Sequence, residues 1–367
     1  MMALKGLMDG LGSPNIDCRQ DGAKLGGGSR SGYVFNTTIA GVEDADVCLI
    51  IGSNPRLEAP IINARLRKRA GAGGFRVGIV GENVDLTYRT EHLGAGPDTL
   101  KEIADGTHPF CDVLRSAERP MLILGQGALA RADGTAVIGA ARLIADNTGM
   151  VSADWNGFNI LHTAAARVSG LDLGLMPGDG GQDVVGILDG AASGDIEVVY
   201  LLGADEIDVS KLTDAFVIYQ GHHGDAGAHV ADVILPGAAY TEKDGTYANT
   251  EGRVQRGRRA TSPPGDARED WAILRALSDV LGKTLPYNNI VELRAHMSES
   301  VPVLGEIDTL TPSAWSDHGE IAEMDSAPFE SPVTNFYMTD PISRASETMA
   351  ACTETFVKEG QKTGTDG

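Results

Sequence analysis

The chain has 367 residues, 47 of them glycine, with 5% aromatic residues and a formal net charge of −21. This length allows two domains or one large two-lobed α/β body. The acidic balance argues against nucleic-acid binding and against docking on anionic lipid, because both need clustered Lys and Arg. Every apolar run is shorter than the roughly 18 residues of a spanning helix, so we expect no direct membrane insertion.

Strands and helices alternate along most of the chain. An apolar start predicts a first helix, and further helices are predicted at 60–69, 98–105, 134–148 and 270–281. Strands are predicted at 46–51, 75–80, 120–125, 198–203, 215–220 and 230–235. The unit between residues 46 and 80 has the length of a parallel crossover. The alternation predicts an α/β fold with mostly parallel sheets and helices on both faces.

Four parts are predicted from this pattern. They are a first α/β lobe at 1–118, a second at 119–240, a signature loop and closing helix at 241–300, and a linker and C-terminal tail at 301–367. Residues 304–332 contain three prolines and many acids with little periodicity, which predicts a loosely structured linker.

The signature loop follows the strand at 230–235, which Pro236 ends because proline has no N–H for a ladder. Residues 241–253 then place many hydrogen-bonding side chains around Gly245 and Gly252. Open α/β sheets bind ligands in such loops, at the carboxyl ends of their strands.

The signature loop also carries a family resemblance. The run Glu-Lys-Asp-Gly-Thr at 242–246, followed by Asn-Thr-Glu-Gly-Arg-Val-Gln at 249–255, resembles the signature of molybdopterin-type oxidoreductases. The run Phe-Tyr-Met-Thr-Asp-Pro-Ile-Ser-Arg from Phe336 resembles, within that family, the large iron–sulfur subunit (the G subunit) of NADH–quinone oxidoreductase, respiratory complex I. The likeness covers nearly the whole chain.

The resemblance implies the two-lobed, Rossmann-like molybdopterin oxidoreductase fold, without the C-terminal β-barrel that clamps the second pterin dinucleotide in molybdenum enzymes. Two loops match positions that lie against the pterin in those enzymes, and this branch is not regarded as binding molybdenum. We interpret both loops as vestigial pterin contacts; their residues are Gly52, Asn54, Pro55, Asn249, Glu251 and Arg253.

The resemblance further implies a scaffold that supports electron transfer from NADH to quinone. Its partners would be other peripheral-arm subunits of complex I, on the cytoplasmic side of the inner membrane or the mitochondrial matrix side. The intact subunit resembles carriers of 2Fe-2S and 4Fe-4S clusters, but those cysteine-rich segments are absent here. The chain is therefore expected to be a C-terminal fragment or a split gene product, with no catalytic residue, metal ligand or cofactor of its own.

Two alternatives remain open. The chain could be part of a molybdopterin-dependent enzyme such as a formate dehydrogenase. It could also be a free-standing NAD-binding dehydrogenase, because Gly125, Gly127 and Ala130 follow a predicted strand and Asp146 stands twenty-one residues after Gly125. The simpler interpretation of this turn is a tight strand–helix connection.

Metal binding and thiol chemistry are weaker possibilities. His222, His223, His229 and Asp225 lie in a glycine-rich loop, which is more typical of a polar contact surface than of a preformed metal site. The cysteines are far apart and include no Cys-x-x-Cys, so they cannot build an iron–sulfur cluster. Cys48 is predicted to be a core residue, and Cys18 is the one candidate for a reactive thiol.

Overall fold

The structure is a computed structural model that describes residues 1–26 and 28–358. Its larger sheet contains β1 Val47–Ile51, β2 Arg76–Val80, β3 Glu91–Gly94, β4 Pro120–Leu124 and β5 Phe158–Ile160. Its smaller sheet contains β6 Val198–Leu202, β7 Phe216–Gly221 and β8 Val233–Pro236. A hairpin is formed by β9 Gly245–Ala248 and β10 Val254–Gly257. Both sheets are parallel, with strand orders β3-β2-β1-β4-β5 and β6-β7-β8.

The structure also contains helices, several of which pack on the faces of these sheets. They are α1 Met2–Leu11, α2 Pro55–Glu58, α3 Pro60–Gly71, α4 Pro97–Ala104, α5 Phe110–Ser116, α6 Gln126–Leu129, α7 Gly134–Asn147, α8 Arg167–Asp172, α9 Val184–Ser193, α10 Ala226–Val230, α11 Asp270–Val280, α12 Ile290–Ser300, α13 Pro341–Arg344 and α14 Glu347–Thr353. No helix in the described residues combines the length and apolarity needed to cross a bilayer.

The central strand β1 separates two hydrophobic cores. Leu49 and Ile51 pack into one core, whereas Cys48 and Ile50 pack into the other. Successive side chains of a strand point to opposite faces, so a sheet covered by helices on both sides needs an uninterrupted apolar strand. All five residues of β1 are buried, as this arrangement requires.

The predicted α/β class with mostly parallel sheets is confirmed. The helix predicted at 60–69 is Pro60–Gly71, and the helix predicted at 134–148 is Gly134–Asn147. The described residues after Ser300 form short helical turns and irregular segments instead of sheet strands.

The predicted division between residues 118 and 119 does not follow the sheets. Pro120–Leu124 pairs with Val47–Ile51, and Phe158–Ile160 extends the same sheet. The smaller sheet begins only at Val198. Alternation of strands and helices predicts parallel pairing but does not specify which sheet a strand joins.

The segment predicted as a loosely structured linker, 304–332, has little regular secondary structure, but some of its side chains are buried. Residues 309–335, which we call the strap, contain no helix or strand, yet they pack closely on the larger sheet. Phe329 is only 1% exposed, and the Trp315 ring meets the Phe158 ring at a centroid distance of 5.0 Å. Single large side chains can be buried without periodicity, so the usual sequence signal was missing.

The segment after the strap contacts the loops of the smaller sheet. Arg344 forms ion pairs with Asp225 and with Glu206, the latter at 2.7 Å. The predicted linker and tail, 301–367, extend past residue 358 and so lie partly outside the described residues.

Candidate functional site

A crevice lies at the carboxyl ends of β1 and β4. From β1 the chain continues to β2 on one side of the sheet, and from β4 it continues to β5 on the other side. Open α/β sheets bind their ligands at such a switch point. Residues 52–55 follow β1 and residues 125–127 follow β4; we call the space between them the switch-point crevice.

The two turns of the crevice touch closely. Gly52 has a φ of 57°, and a Cβ there would lie 2.6 Å from the Ala128 Cβ and 2.7 Å from the Ala128 nitrogen. Only glycine fits this left-handed conformation and this contact without strain. The Gly125 amide also donates to the Ile51 carbonyl at 2.9 Å, so the second turn is hydrogen-bonded to the end of β1.

The strap enters this crevice. A Cβ on Gly127 would lie 2.0 Å from the Glu330 carbonyl oxygen and 2.8 Å from the Gly52 carbonyl oxygen. In a dinucleotide-binding turn, this glycine face is left open so that the pyrophosphate can approach. Here the chain's own backbone occupies that space, and the residues present do not fit a bound pterin or dinucleotide phosphate.

Arg131 holds the strap in place. Its guanidinium donates to the carbonyl oxygens of Ala327 at 2.9 Å and Pro328 at 3.3 Å. The same guanidinium carbon lies 5.3 Å from the centre of the Phe329 ring, within the range of a cation–π contact. Arg131 is itself fixed by two contacts of 2.8 and 2.9 Å to Asp133.

Glu58 connects the crevice to the strap. Its carboxylate accepts hydrogen bonds from the Ser53 hydroxyl at 2.9 Å, the Asn54 amide at 2.6 Å and the Ser331 hydroxyl at 3.0 Å. Burial raises the pKa of this carboxyl above its usual value, although the three donors oppose that shift. Within the described residues, the side-chain oxygens of Asn54 and Gln126 are buried without a partner.

The second of the two predicted pterin-contact loops, residues 249–253, connects β9 to β10. The Asn249 side-chain oxygen accepts from the Arg253 amide at 2.9 Å, and Glu251 accepts from the Ile39 amide at 2.7 Å. The Arg253 guanidinium donates to the Asp308 carbonyl at 2.6 Å. This loop is thus anchored on segments other than the Gly52 loop. A former pterin role for Gly52, Asn54, Pro55, Asn249, Glu251 and Arg253 stays a prediction.

Arg30 fastens the second loop to α8, a role that was not predicted from the sequence. Its guanidinium makes two contacts of 2.8 and 2.9 Å with Asp172 and a third of 2.9 Å with the Gly252 carbonyl. The Tyr33 hydroxyl also donates to Asp172 at 2.9 Å. The residues are distant in sequence and match no motif, so no sequence signal pointed to this cluster.

The possible dinucleotide site is not assembled. The helix after Gly125 ends at Leu129, and α7 begins only at Gly134. Asp146 lies within α7, where it pairs with Arg142 at 3.0 Å and accepts from the Trp315 indole at 2.9 Å. A ribose-binding carboxylate should instead end a second strand.

The histidine loop has no metal-binding geometry. The Nδ1 atoms of His222 and His223 face each other at 2.7 Å, Asp225 pairs with Arg344, and His229 lies near the end of α10. Among residues 1–26 and 28–358, no three His, Cys, Asp or Glu side chains are grouped suitably for a metal ion.

The cysteines occupy separate environments. Cys48 is fully buried, which agrees with its prediction as a core residue, and Cys111 is buried in the opposite core. Burial raises the pKa of the Cys18 thiol to about 11, so this thiol stays protonated at neutral pH. The reactive thiol considered for Cys18 is therefore not favoured, because thiolate is the nucleophilic form.

His162 is a further titratable group, half-buried, that was not predicted from the sequence. Its Nε2 contacts the Tyr33 carbonyl at 2.6 Å, beyond the end of β5. Burial, aided by the nearby Arg167, lowers the pKa of this imidazole to about 4. Arg167 is itself buried and forms an ion pair with Asp21 at 2.8 Å.

Comparison with known proteins identifies the family. A family model described as molybdopterin oxidoreductase matches residues 1–280, and one described as the C-terminal part of the NADH-ubiquinone oxidoreductase G subunit matches residues 312–352. Similar proteins include NADH dehydrogenase (ubiquinone) iron-sulfur protein 1, mitochondrial, from Solanum tuberosum, 46% identical over 96% of this chain and 47% of that protein. The NADH-quinone oxidoreductase G subunit from Rickettsia bellii is 41% identical over 96% of this chain and 50% of that protein. The chain spans about half the length of these curated relatives.

A solved structure shares the fold. Acetylene hydratase from Pelobacter acetylenicus superposes with a TM-score of 0.50 at 13% identity, covering 83% of this chain and 56% of that one. At this identity the likeness concerns architecture alone. The family model over residues 1–280 shows that the chain belongs to the molybdopterin oxidoreductase family, and the similar curated proteins are named as subunits of NADH dehydrogenase (ubiquinone) and NADH-quinone oxidoreductase.

Proposed function

We propose that this chain is the structural body of the large iron–sulfur subunit of NADH–quinone oxidoreductase, the proton-translocating respiratory complex I. It acts as a scaffold of the peripheral arm, among other peripheral-arm subunits, on the cytoplasmic or matrix side of the inner membrane. Electron transfer from NADH to quinone takes place in the neighbouring iron–sulfur segments and subunits. The chain itself binds no cofactor and performs no catalytic step in this proposal.

The strap in the switch-point crevice carries this proposal. The Glu330 backbone occupies the open face of Gly127, and Arg131 and Glu58 fix the strap on either side. A crevice filled by the protein's own chain supports a structural role, because a pterin or dinucleotide would first have to displace these contacts. The curated relatives support the choice of complex.

The same observation weighs against the two alternatives. A molybdenum enzyme such as a formate dehydrogenase needs its pterin loops free, and an NAD-dependent dehydrogenase needs the turn at Gly125 and Gly127 free. Pterin released from the purified full-length protein would restore the first alternative. Saturable NADH binding that is lost in Gly127→Val would restore the second.

A two-dimensional native gel tests the proposal. Native membranes are separated on a nondenaturing gel stained for NADH oxidation, then on a denaturing gel probed with an antibody to residues 336–350. We expect the antibody signal beneath the NADH-oxidising complex. The apparent mass of that spot distinguishes a full-length subunit from a short chain. A signal confined to free soluble proteins would refute the scaffold proposal.

A further inference from the structure

An open groove of about 470 Å³ runs along the outer side of α3, between that helix and the loop after β2. It is lined by both small and cationic side chains. The lining residues that define its character are Arg56, Pro60, Ala64, Arg67, Lys68 and Gly71.

The groove is positively charged on a strongly acidic protein. The whole chain has 51 acidic and 30 basic residues, but residues 55–71 hold five cations and a single acid, Glu58. That acid is turned toward Ser53 and Ser331, and the two carboxylates that pair with these cations from other segments, Asp85 and Glu43, are fewer than the cations. The groove therefore differs in sign from the average surface, and its potential favours a negatively charged partner.

The cations of the groove are incompletely neutralised. Arg67 is exposed and has neither an ion pair nor a side-chain hydrogen bond within the described part of the chain. Lys68 is 70% exposed and shares its one partner, Glu43, with Arg65. Exposed pairs of this kind contribute little to stability, so these side chains are available to a partner's carboxylates.

The shape suits an elongated partner segment. Pro60, Ala64 and Gly71 lie on one face of a 12-residue helix about 18 Å long, with Pro60 and Gly71 at its two ends. Small side chains let a second backbone approach closely, and Ile61 beside them is 71% exposed. A small anion would pair with the cations but would leave the apolar side chains along α3 exposed to solvent.

We propose that the α3 groove is a docking site for an acidic, amphipathic segment of a partner protein. Carboxylates of that segment meet Arg67 and Lys68, and an apolar side chain covers Ile61 and Ala64. The identification of the partner as another peripheral-arm subunit rests on the function proposed above. The charge and shape of the groove do not depend on that function. Complementary charge across an interface sets the specificity and rate of association.

Zero-length cross-linking tests this proposal in native membranes. A carbodiimide joins a lysine amine to a carboxylate only when the two are in contact. Mass spectrometry then identifies the residues joined to Lys68 in whichever assembly contains the chain. We expect a bond from Lys68 to an identified Asp or Glu of another protein. The internal bond between Lys68 and Glu43 serves as a positive control, because these groups already form an ion pair.

Two matched variants complete the test. Arg67→Glu should lower the yield of the intermolecular Lys68 cross-link more than about tenfold, because it replaces a close charge pair with a repulsive contact. Arg258→Glu makes the same charge change at an exposed arginine outside the groove and should leave the yield unchanged. Arg67→Gln, which keeps helix propensity without reversing the charge, should give an intermediate loss and excludes misfolding as the cause.

The outcomes separate the two proposals. Finding only the Lys68–Glu43 bond, or equal yields in Arg67→Glu and Arg258→Glu, would overturn the docking site. If the chain is absent from the NADH-oxidising complex, the scaffold proposal fails, whereas an Arg67-dependent bond from Lys68 to a different identified protein still supports the groove.

Discussion

Truncation of Phe329 tests whether the strap is an integral part of the fold. The side chain is 1% exposed, packs in the core of the larger sheet and lies against the Arg131 guanidinium. Removing roughly 150 Å² of buried ring surface, at about 25 cal/mol per Å², costs about 4 kcal/mol. This agrees with the range of about 3–5 kcal/mol for Phe→Ala in cores. Phe329→Ala should therefore lower the free energy of strap opening by about that amount.

Native-state hydrogen exchange, read by mass spectrometry, measures this opening. The amides of Glu320 and Phe329 donate to the Thr135 and Ala95 carbonyls, and both report on the strap. A loss of about 4 kcal/mol corresponds to roughly a thousandfold faster exchange, when exchange follows local opening.

The control variant lies a few residues further along. Phe336→Ala removes a ring that is 45% exposed, and it should change the exchange of the strap amides by less than about threefold. Unchanged exchange and unchanged protease resistance of residues 309–335 in Phe329→Ala would refute the claim that the buried ring holds the strap.

Three further results are expected. Iodoacetamide should label Cys18 in the folded chain at least about a hundredfold more slowly than in the denatured chain at pH 8, because its pKa is raised to about 11. The folded-state pKa of His162 is depressed to about 4, so the free energy of unfolding should fall by up to about 1.4 kcal/mol per pH unit as the pH drops from 6.5 towards 4. Urea titrations at several pH values should show that His162→Gln flattens this dependence. Arg30→Met should destabilise the fold by about 3 kcal/mol because it leaves Asp172 buried without its cation, and the double variant with Asp172→Leu should recover part of that loss.

Local regularity made much of the fold predictable. Five successive apolar residues in β1 indicated a strand covered on both faces, and proline and glycine at the ends of α3 marked its limits. The pairing of Pro120–Leu124 with β1 was not predictable from the same signals, because strand partners are chosen by packing between distant segments.

The candidate site was predictable only in its outline. The turns at Gly52 and Gly125 could each be predicted to follow a strand, but their approach at one sheet edge could not, because the two strands were assigned to different lobes. The contact between Gly127 and the Glu330 carbonyl could not be predicted, because a backbone oxygen carries no side-chain signature and the two residues are about two hundred positions apart. Glu58 was passed over for a similar reason, because its partner Ser331 lies in a segment without periodicity.

The late position of the strap has a consequence for biosynthesis. The larger sheet is complete once Ile160 has left the ribosome, but Phe329, which closes its core, follows 169 residues later. At about 5–20 residues per second, translation of that interval takes on the order of 8–34 seconds. During this time the apolar surface beneath Phe329 stays exposed on the nascent chain. This is the stage at which chaperone protection matters most, and a premature stop before residue 329 would leave that surface permanently uncovered.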